Sequence, residues 1–163
     1  MTSSAGRLFD AVAAIVGVRD RVTFEGQAAM ELEWLAESEN AAEVYPFGVS
    51  TVEGSCLIDV RPLVREVVRE VEAGVRPGTV ARRFHRSVAE VIPKVCERLR
   101  RETGINNVVM SGGVFMNSLL MEEVTGRLMM SGFCPFRHRL VPTNDGGISL
   151  GQLAIAACRS ATK

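Results

Sequence analysis

The sequence predicts one α/β domain that is rich in helix and carries only short strands. Its 163 residues match the usual size of a single domain. Hydrophobic residues make up 47% of the chain and charged residues 23%, the composition of a globular protein with a normal core. The last third alternates short apolar runs with helical patterns, and that order is typical of α/β layers.

Two helices are predicted near the N-terminus. In segment 6–18, GRLFDAVAAIVGV, apolar residues recur at helical spacing until Gly17 ends the pattern. Strong helix formers dominate from Gln27 to Glu37, and Gly26 stands immediately before them.

The middle of the chain is predicted to hold two extended pieces and two long helices. The extended pieces fall near Val44–Val49 and Cys56–Val60, where glycine and proline punctuate the sequence. Segment 61–75, RPLVREVVREVEAGV, places valines on one helical face and charges on the other. A longer helix is predicted from Gly78 to Glu102, and Pro93 is expected to kink or split it.

The last third predicts the order strand, helix, strand, helix. Val108–Met110 is predicted to form a short buried strand, and Val114–Met130 a helix. Phe136–Val141 is predicted to form the second strand. The apolar segment Ile148–Cys158 is predicted to form the last helix.

Composition excludes several classes of function. Lys and Arg together number 19, as do Asp and Glu, so no basic field is available to bind nucleic acid. No apolar stretch is long enough to cross a bilayer and no secretory signal is visible, which predicts a cytoplasmic protein without membrane contact. The four cysteines are far apart, and we expect them to be small buried hydrophobes in a reducing compartment.

The first candidate site is the turn Ser111-Gly112-Gly113, between a predicted strand and a predicted helix. Glycines let a phosphate or ribose approach the backbone, and a helix start offers unpaired N–H groups. Asn117 should lie one turn into the helix, where its amide could bind a ligand. A tight turn with a left-handed glycine explains the same residues without a ligand.

The segment 143–147, TNDGG, repeats this arrangement between a strand and a helix. Asn144 or Asp145 could simply cap the helix. Alternatively, Asp145 is a carboxylate at a strand end that faces the same cleft as the first turn.

Other polar residues are open to both structural and functional interpretation. Asp10 is the one acidic residue of an apolar helix start, and it is either solvated or a ligand contact. Gly26, with Glu25, either caps a helix or contacts a ligand. The two histidines, His85 and His138, are interpreted as surface or hydrogen-bonded structural residues, with catalysis unsupported.

Four segments, taken in order, closely resemble the C-terminal end of HypF, the hydrogenase maturation carbamoyltransferase. They are TSSAGRLFDAVAAIVG, VTFEGQAAMELEWLA, SGGVFMNSLL and VPTNDGGISLGQ. The chain is more distantly similar to tRNA threonylcarbamoyl transferases and antibiotic O-carbamoyltransferases. The resemblance implies one lobe of a two-lobed, ribonuclease H-like fold of the actin, Hsp70 and sugar-kinase type. That lobe would span residues 1–163, with a helical insertion at roughly 61–103.

The resemblance also implies a reaction. Carbamoyl phosphate and ATP would give carbamoyl-adenylate, and the carbamoyl group would pass to the C-terminal cysteine thiol of a HypE-like acceptor protein. There it becomes the cyanide ligand of a nickel–iron hydrogenase centre. No residue of this chain is assigned as a nucleophile, because the partner supplies the thiol.

The resemblance implies ligand contacts for seven residues. The ribose or the acyl-adenylate would contact Asp10 and Gly26, and a catalytic divalent metal (Fe, Zn or Mg) would bind Asp145. The nucleotide would be held by Ser111, Gly112, Gly113 and Asn117.

The sequence departs from the family pattern in one important way. It lacks the HxxxH pair of the preceding lobe, which supplies the other metal ligands. We therefore expect a fragment or a truncated gene product that is inactive alone and binds metal only with the missing N-terminal lobe. An unpaired lobe should also expose apolar surface, which predicts a homodimer or poor solubility.

Two other functions remain open at this point. The chain could be a non-catalytic remnant or interaction module that kept the fold and lost the chemistry. It could also belong with the tRNA-modifying or O-carbamoylating relatives, although its neutral charge balance argues against direct contact with tRNA.

Overall fold

Helices dominate the parts of the chain that the computed structural model describes, residues 4–52 and 54–161. Two 3₁₀ helices, Gly113–Met116 and Asp145–Gly147, lie beside the longer elements. The α-helices are α1 (Ala5–Ile15), α2 (Gln27–Glu37), α3 (Arg61–Glu72), α4 (Pro77–Thr103), α5 (Ser118–Met130) and α6 (Ile148–Ala161). The strands are β1 (Gly48–Val52), β2 (Ser55–Asp59), β3 (Asn107–Met110) and β4 (Cys134–Arg137).

Helix α4 is the central element of the core, because it packs against α2, α3 and α5. Val80 and Phe84 on this helix are completely buried. The ring of Phe9 on α1 packs edge-on against Phe84, with ring centroids 4.8 Å apart. Burying a large apolar side chain of this kind stabilises the folded state by about 1.5–3 kcal/mol. The apolar stripe of α4 therefore organises the packing of the N-terminal helices.

Ion pairs join α4 to α5 beside this core. Arg82 of α4 pairs with Glu123 of α5 at 2.7 Å. Arg127 of α5 pairs with Glu90 of α4 at 3.1 Å. Both arginines are more than four-fifths buried, at 17% and 16% side-chain exposure, so these pairs fix the register of the two helices more firmly than surface pairs would.

The four strands form two separate pairs. Strands β1 and β2 form an antiparallel hairpin. Strands β3 and β4 are parallel, with Met110 opposite Arg137, and α5 makes the crossover between them. The residues that follow β3 and β4 consequently emerge at the same edge of this small sheet.

Helix α6 is apolar and exposed along the whole of its described length. Leu150, Leu153 and Ile155 are 52%, 68% and 55% exposed. Its packing contacts are mainly with the 3₁₀ helix Asp145–Gly147 immediately before it. None of the helices in the described residues has the length and apolar character needed to cross a membrane.

Several predicted elements are confirmed and others are wrong. The α/β class and helix α2 at Gln27–Glu37 are as predicted. The extended piece predicted near Cys56–Val60 is strand β2, displaced by one residue, whereas the piece predicted near Val44–Val49 lies later in the chain, as β1. The strand predicted at Phe136–Val141 begins earlier, as β4. Glycine and proline marked the region of each strand but not its ends.

Two predictions concern proline and burial. The split expected at Pro93 is wrong, because α4 is one helix through Pro93, and its packing against α2, α3 and α5 outweighs the loss of one backbone hydrogen bond. The alternative, a kink at Pro93, stays a prediction. The strand predicted as buried at Val108–Met110 is fully buried only at Met110, since Val108 is half-buried and Val109 is 71% accessible. In the described chain β3 pairs with β4 alone, so its other edge has no partner strand. The helical insertion expected at 61–103 stays a prediction, although α4 within it carries part of the core.

The cysteines were expected to be buried, and for three of them that expectation is wrong. Cys56, Cys134 and Cys158 are exposed, and Cys96 is half-buried. Burial raises the pKa of the Cys96 thiol. The exposed three lie on β2, β4 and α6, the elements whose outer faces are open.

The contact of α4 with α2 predicts the effect of a single methyl group. A Cβ at Gly78 would lie 3.0 Å from the carbonyl oxygen of Leu35 and 2.9 Å from Cγ of Glu39. Gly78→Ala should lower the free energy of unfolding by about 1–3 kcal/mol through overpacking, as measured by urea denaturation. Gly126→Ala on α5 is the control, because nothing lies within 4 Å of its Cβ position. It should raise the stability by up to about 1 kcal/mol, and equal effects of the two substitutions would contradict the packing assigned to Gly78.

Candidate functional site

Two glycine-containing turns meet at the carboxyl ends of the parallel strands β3 and β4. Ser111 follows β3 and His138 follows β4, and Oγ of Ser111 lies 3.0 Å from Nε2 of His138. The backbone N–H of Gly112 donates to the carbonyl oxygen of Thr143 at 2.8 Å. Ligands of open α/β sheets bind outside the carboxyl ends of the strands, so this junction is the candidate site.

Glycine is required at two positions in these turns. Gly112 has φ 108° and ψ 157°, a backbone conformation that residues with a Cβ rarely adopt. At Gly147 a Cβ would lie 2.8 Å from the carbonyl oxygen of Pro142. The interpretation of the first turn as a tight glycine turn is therefore correct in geometry. Because Gly112 and Gly113 are also exposed, the same turn leaves backbone open to a ligand.

Asn117 does not lie one turn inside a helix, as predicted, but is the N-cap residue of α5. Its backbone is extended (φ −66°, ψ 111°), and this separates the 3₁₀ helix Gly113–Met116 from α5. Its Oδ1 accepts the backbone N–H of Leu120 at 2.7 Å, the geometry of an N-cap. The side chain is buried, with 9% exposure. Its contact with a ligand stays a prediction.

His85 lies against Asn117 in the core. Nδ1 of His85 is 2.8 Å from the carbonyl oxygen of Ala81, and Nε2 is 3.0 Å from Nδ2 of Asn117. Burial lowers the pKa of His85, although the hydrogen bond to Ala81 opposes that shift, so the imidazole is neutral near pH 7. The interpretation of His85 as a hydrogen-bonded structural residue agrees with these contacts.

A buried carboxylate occupies the N-terminus of α5. Oε1 of Glu33, on α2, accepts the backbone N–H of Ser118 at 2.7 Å and that of Leu119 at 3.1 Å. It also accepts the Ser118 hydroxyl at 2.7 Å. With Asn117 accepting from Leu120, these N–H groups are engaged within the chain. The first N–H groups of α5 are therefore not available to a phosphate. For the 3₁₀ helix Gly113–Met116, which directly follows the glycine turn, the expectation stays a prediction.

The N-terminal candidates, Asp10 and Gly26, lie on the first two helices. Asp10 lies on α1, which contacts the 3₁₀ helix Gly113–Met116, and its carboxylate pairs with Arg7 at 3.1 Å. Gly26 is the left-handed N-cap of α2, at φ 80°. The structure thus brings the helix of Asp10 to the site, and the contact of Gly26 with a ligand stays a prediction.

Asp145 begins the 3₁₀ helix Asp145–Gly147 and is exposed. The cap of this helix is Asn144, whose Oδ1 accepts the N–H of Gly146 at 3.1 Å. Within residues 4–52 and 54–161, no group of three or more His, Cys, Asp and Glu side chains could hold a metal ion. The described residues therefore do not form a metal site by themselves, and Asp145 as a ligand stays a prediction.

Comparison with known proteins assigns the family. Residues 1–152 match the family model described as carbamoyltransferase, Kae1-like domain, second subdomain. The carbamoyltransferase HypF of Synechocystis sp. is 36% identical over 153 residues, which cover 94% of this chain. The chain belongs to the HypF family of carbamoyltransferases.

A solved HypF has the same fold over this region. The crystal structure of full-length HypF in the phosphate- and nucleotide-bound form matches with a TM-score of 0.90 and 43% identity over 94% of this chain. The tRNA N6-adenosine threonylcarbamoyltransferase of Sulfurihydrogenibium sp. is more distant, at 28% identity over 76% of this chain and 35% of its own length. This chain spans about one fifth of each HypF, 19% of the Synechocystis protein and 20% of the solved one.

Three residues of this HypF segment were not assigned to the site from the sequence. Glu33 looked like one more charge on α2, and nothing in the sequence pairs it with a helix that starts 85 positions later. His138 follows a strand whose end was predicted too late. A signal for His85 did exist, because Ala81, His85 and Ala89 recur every four residues and form a second buried row on α4.

The Glu33 contact predicts a large effect from one carboxylate. Glu33→Ala leaves Ser118 and Leu119 N–H groups without their acceptor, and should lower the free energy of unfolding by about 1–3 kcal/mol in urea denaturation. Glu37→Ala, at an exposed position of α2, should change it by no more than about 0.5 kcal/mol. Equal urea midpoints for Glu33→Ala and Glu37→Ala would show that the Glu33 carboxylate does not cap α5.

Proposed function

We propose that this chain is the second lobe of a HypF enzyme that makes carbamoyl-adenylate from carbamoyl phosphate and ATP and transfers the carbamoyl group. The observation that carries the proposal is the junction of the two glycine turns through the hydrogen bond from Gly112 to Thr143. That junction lies at the carboxyl ends of β3 and β4, within the region that matches the family. The HypF with a TM-score of 0.90 was solved with phosphate and nucleotide bound.

In this proposal the nucleotide contacts exposed backbone rather than the N-terminus of α5. Gly112 and Gly113 allow close approach because they have no Cβ. Ser111 adds a hydroxyl that already contacts His138. Asp10 reaches the nucleotide from α1, and Asn117 from its place between the two helices. Gly26, at the start of α2, is proposed as a further contact of the ribose or the acyl-adenylate.

A divalent metal ion, when bound, would polarise the carbamoyl and phosphate oxygens. In this chain Asp145 is the residue proposed to hold it, and the remaining ligands would come from the preceding lobe of the longer enzyme. The acceptor is proposed to be the C-terminal thiol of a HypE-like protein. Since that thiol is the nucleophile, the proposal gives no catalytic role to the exposed cysteines.

The alternatives receive less support. The resemblance to the tRNA-modifying enzyme covers less of this chain at lower identity than the resemblance to HypF. A non-catalytic interaction module would not need a glycine at position 112 for binding. Substitutions in this turn therefore distinguish such a module from an enzyme lobe.

The proposal predicts the activity of a chimera in which this chain replaces the matching segment of Synechocystis HypF. The chimera should hydrolyse ATP in the presence of carbamoyl phosphate and carbamoylate the HypE thiol, as measured by phosphate release and mass spectrometry. Gly112→Ala should reduce this turnover at least about tenfold, because a residue with a Cβ is strained by about 1–3 kcal/mol at φ 108° and would shift the backbone that the nucleotide contacts.

Gly126→Ala is the matched control in the chimera, because it adds the same methyl group in open space on α5, but at a position without a positive φ. It should leave turnover unchanged. Asp10→Ala provides a second test on a different helix and should weaken ATP binding. Full turnover in both Gly112→Ala and Asp10→Ala would reject the assigned cleft, and an inactive parent chimera would favour the non-catalytic module.

The exposed face of α6 predicts self-association of the isolated chain. We propose that this face packs against the preceding lobe in the whole enzyme and that, without that lobe, two copies associate through it. Sedimentation velocity at high concentration should detect dimers, and Leu153→Glu should shift the population toward monomer. Gln152→Glu adds the same charge one residue away and should shift it less. A parent chain that stays monomeric at every concentration would contradict this use of the face.

A further inference from the structure

The side chains behind the candidate site form a connected set around His85. The imidazole is completely buried on α4 and touches residues from α1 and from the segment that precedes α5. We infer that His85 is a positioning residue: its Nε2, by accepting a hydrogen bond from Nδ2 of Asn117, fixes the amide that the nucleotide contacts.

The hydrogen bonds determine which nitrogen of His85 carries the proton. The carbonyl oxygen of Ala81 can only accept, so Nδ1, 2.8 Å away, must donate to it. In the neutral ring Nε2 is then unprotonated. It accepts from Nδ2 of Asn117, which lies 3.0 Å away.

The other end of the Asn117 amide is fixed independently. Its Oδ1 accepts the N–H of Leu120 at 2.7 Å. Flipping the amide would turn Nδ2 toward the Leu120 donor and Oδ1 toward the lone pair of His85, so both contacts would become repulsive. His85 and Leu120 together permit one orientation of Asn117. In that orientation one Nδ2 hydrogen and one Oδ1 lone pair remain for a ligand group that both accepts and donates, such as a hydroxyl.

His85 also connects Asn117 to the helix of Asp10. The ring of Phe9 packs edge-on against the imidazole, with centroids 5.3 Å apart. Phe9 immediately precedes Asp10 on α1. The two residues proposed to contact the nucleotide from different helices therefore share one buried side chain as a reference point.

This inference rests on the proposed function, because it assumes that Asn117 contacts the nucleotide. A histidine that only fills the core would give the same packing without any effect on binding. Two substitutions of His85 separate these roles. A glutamine carbonyl can occupy the position of Nε2 and still accept from Asn117, whereas an asparagine amide can occupy the position of Nδ1 and donate only to Ala81.

The test compares ATP affinity in the parent chimera, His85→Gln and His85→Asn, each with its melting temperature. Both variants lose the ring packing on Phe9, and His85→Asn leaves the larger cavity. A purely structural role therefore predicts that ATP affinity falls only in proportion to the loss of melting temperature. The inference predicts that His85→Asn weakens ATP binding about tenfold or more while His85→Gln stays near the parent value. Equal affinities of the two variants would overturn it. A parent chimera that binds no ATP would overturn the proposed function, and this inference with it.

A measurement on the isolated chain tests the geometry without nucleotide and without a variant that must fold. Long-range ¹H–¹⁵N spectra of the labelled 163-residue chain should show Nδ1 of His85 protonated and Nε2 unprotonated. The Asn117 side-chain amide should show one hydrogen protected from exchange. A ring protonated on Nε2 would overturn the inference, because that ring could not accept from Asn117.

Discussion

The capping of helix α5 is the interaction on which the candidate site depends. Two groups from distant parts of the sequence meet there: the carboxylate of Glu33 on α2 and the side chain of Asn117. They take up the first N–H groups of the helix and tie it to the N-terminal helices. Because α5 makes the crossover between β3 and β4, this capping also holds the helix that links the two strands carrying the glycine turns.

This arrangement changes where a nucleotide would bind. A strand followed by a glycine turn and a helix usually presents free N–H groups of the helix to a phosphate. Here a carboxylate already lies at that helix end, and an anion placed beside it would be repelled. In the proposed function the nucleotide approaches the exposed glycine backbone before Asn117. Gly112 would then serve both the geometry of the turn, at φ 108°, and the access of the ligand.

In the proposed enzyme this chain forms one side of the nucleotide cleft. Helix α6, the outer edge of β3 and Asp145 are all exposed, and they lie on the elements around the two turns. The described residues supply one exposed carboxylate there and no cluster of metal ligands. The chain covers 19% of the length of the Synechocystis HypF. The exposed apolar face of α6 and the exposed carboxylate of Asp145 are the features that the proposed preceding lobe would contact.

The sequence by itself determined the helices, the glycine turns and the family. These depend on local spacing and on short motifs, which survive without knowledge of contacts. Only the tertiary structure decided that Asn117 is a cap, that Pro93 leaves α4 unbroken, and that Glu33 and His85 belong to the site. The physical reason is that a buried polar group must find partners, and the partners of Glu33 and His85 lie 85 and 32 residues away along the chain.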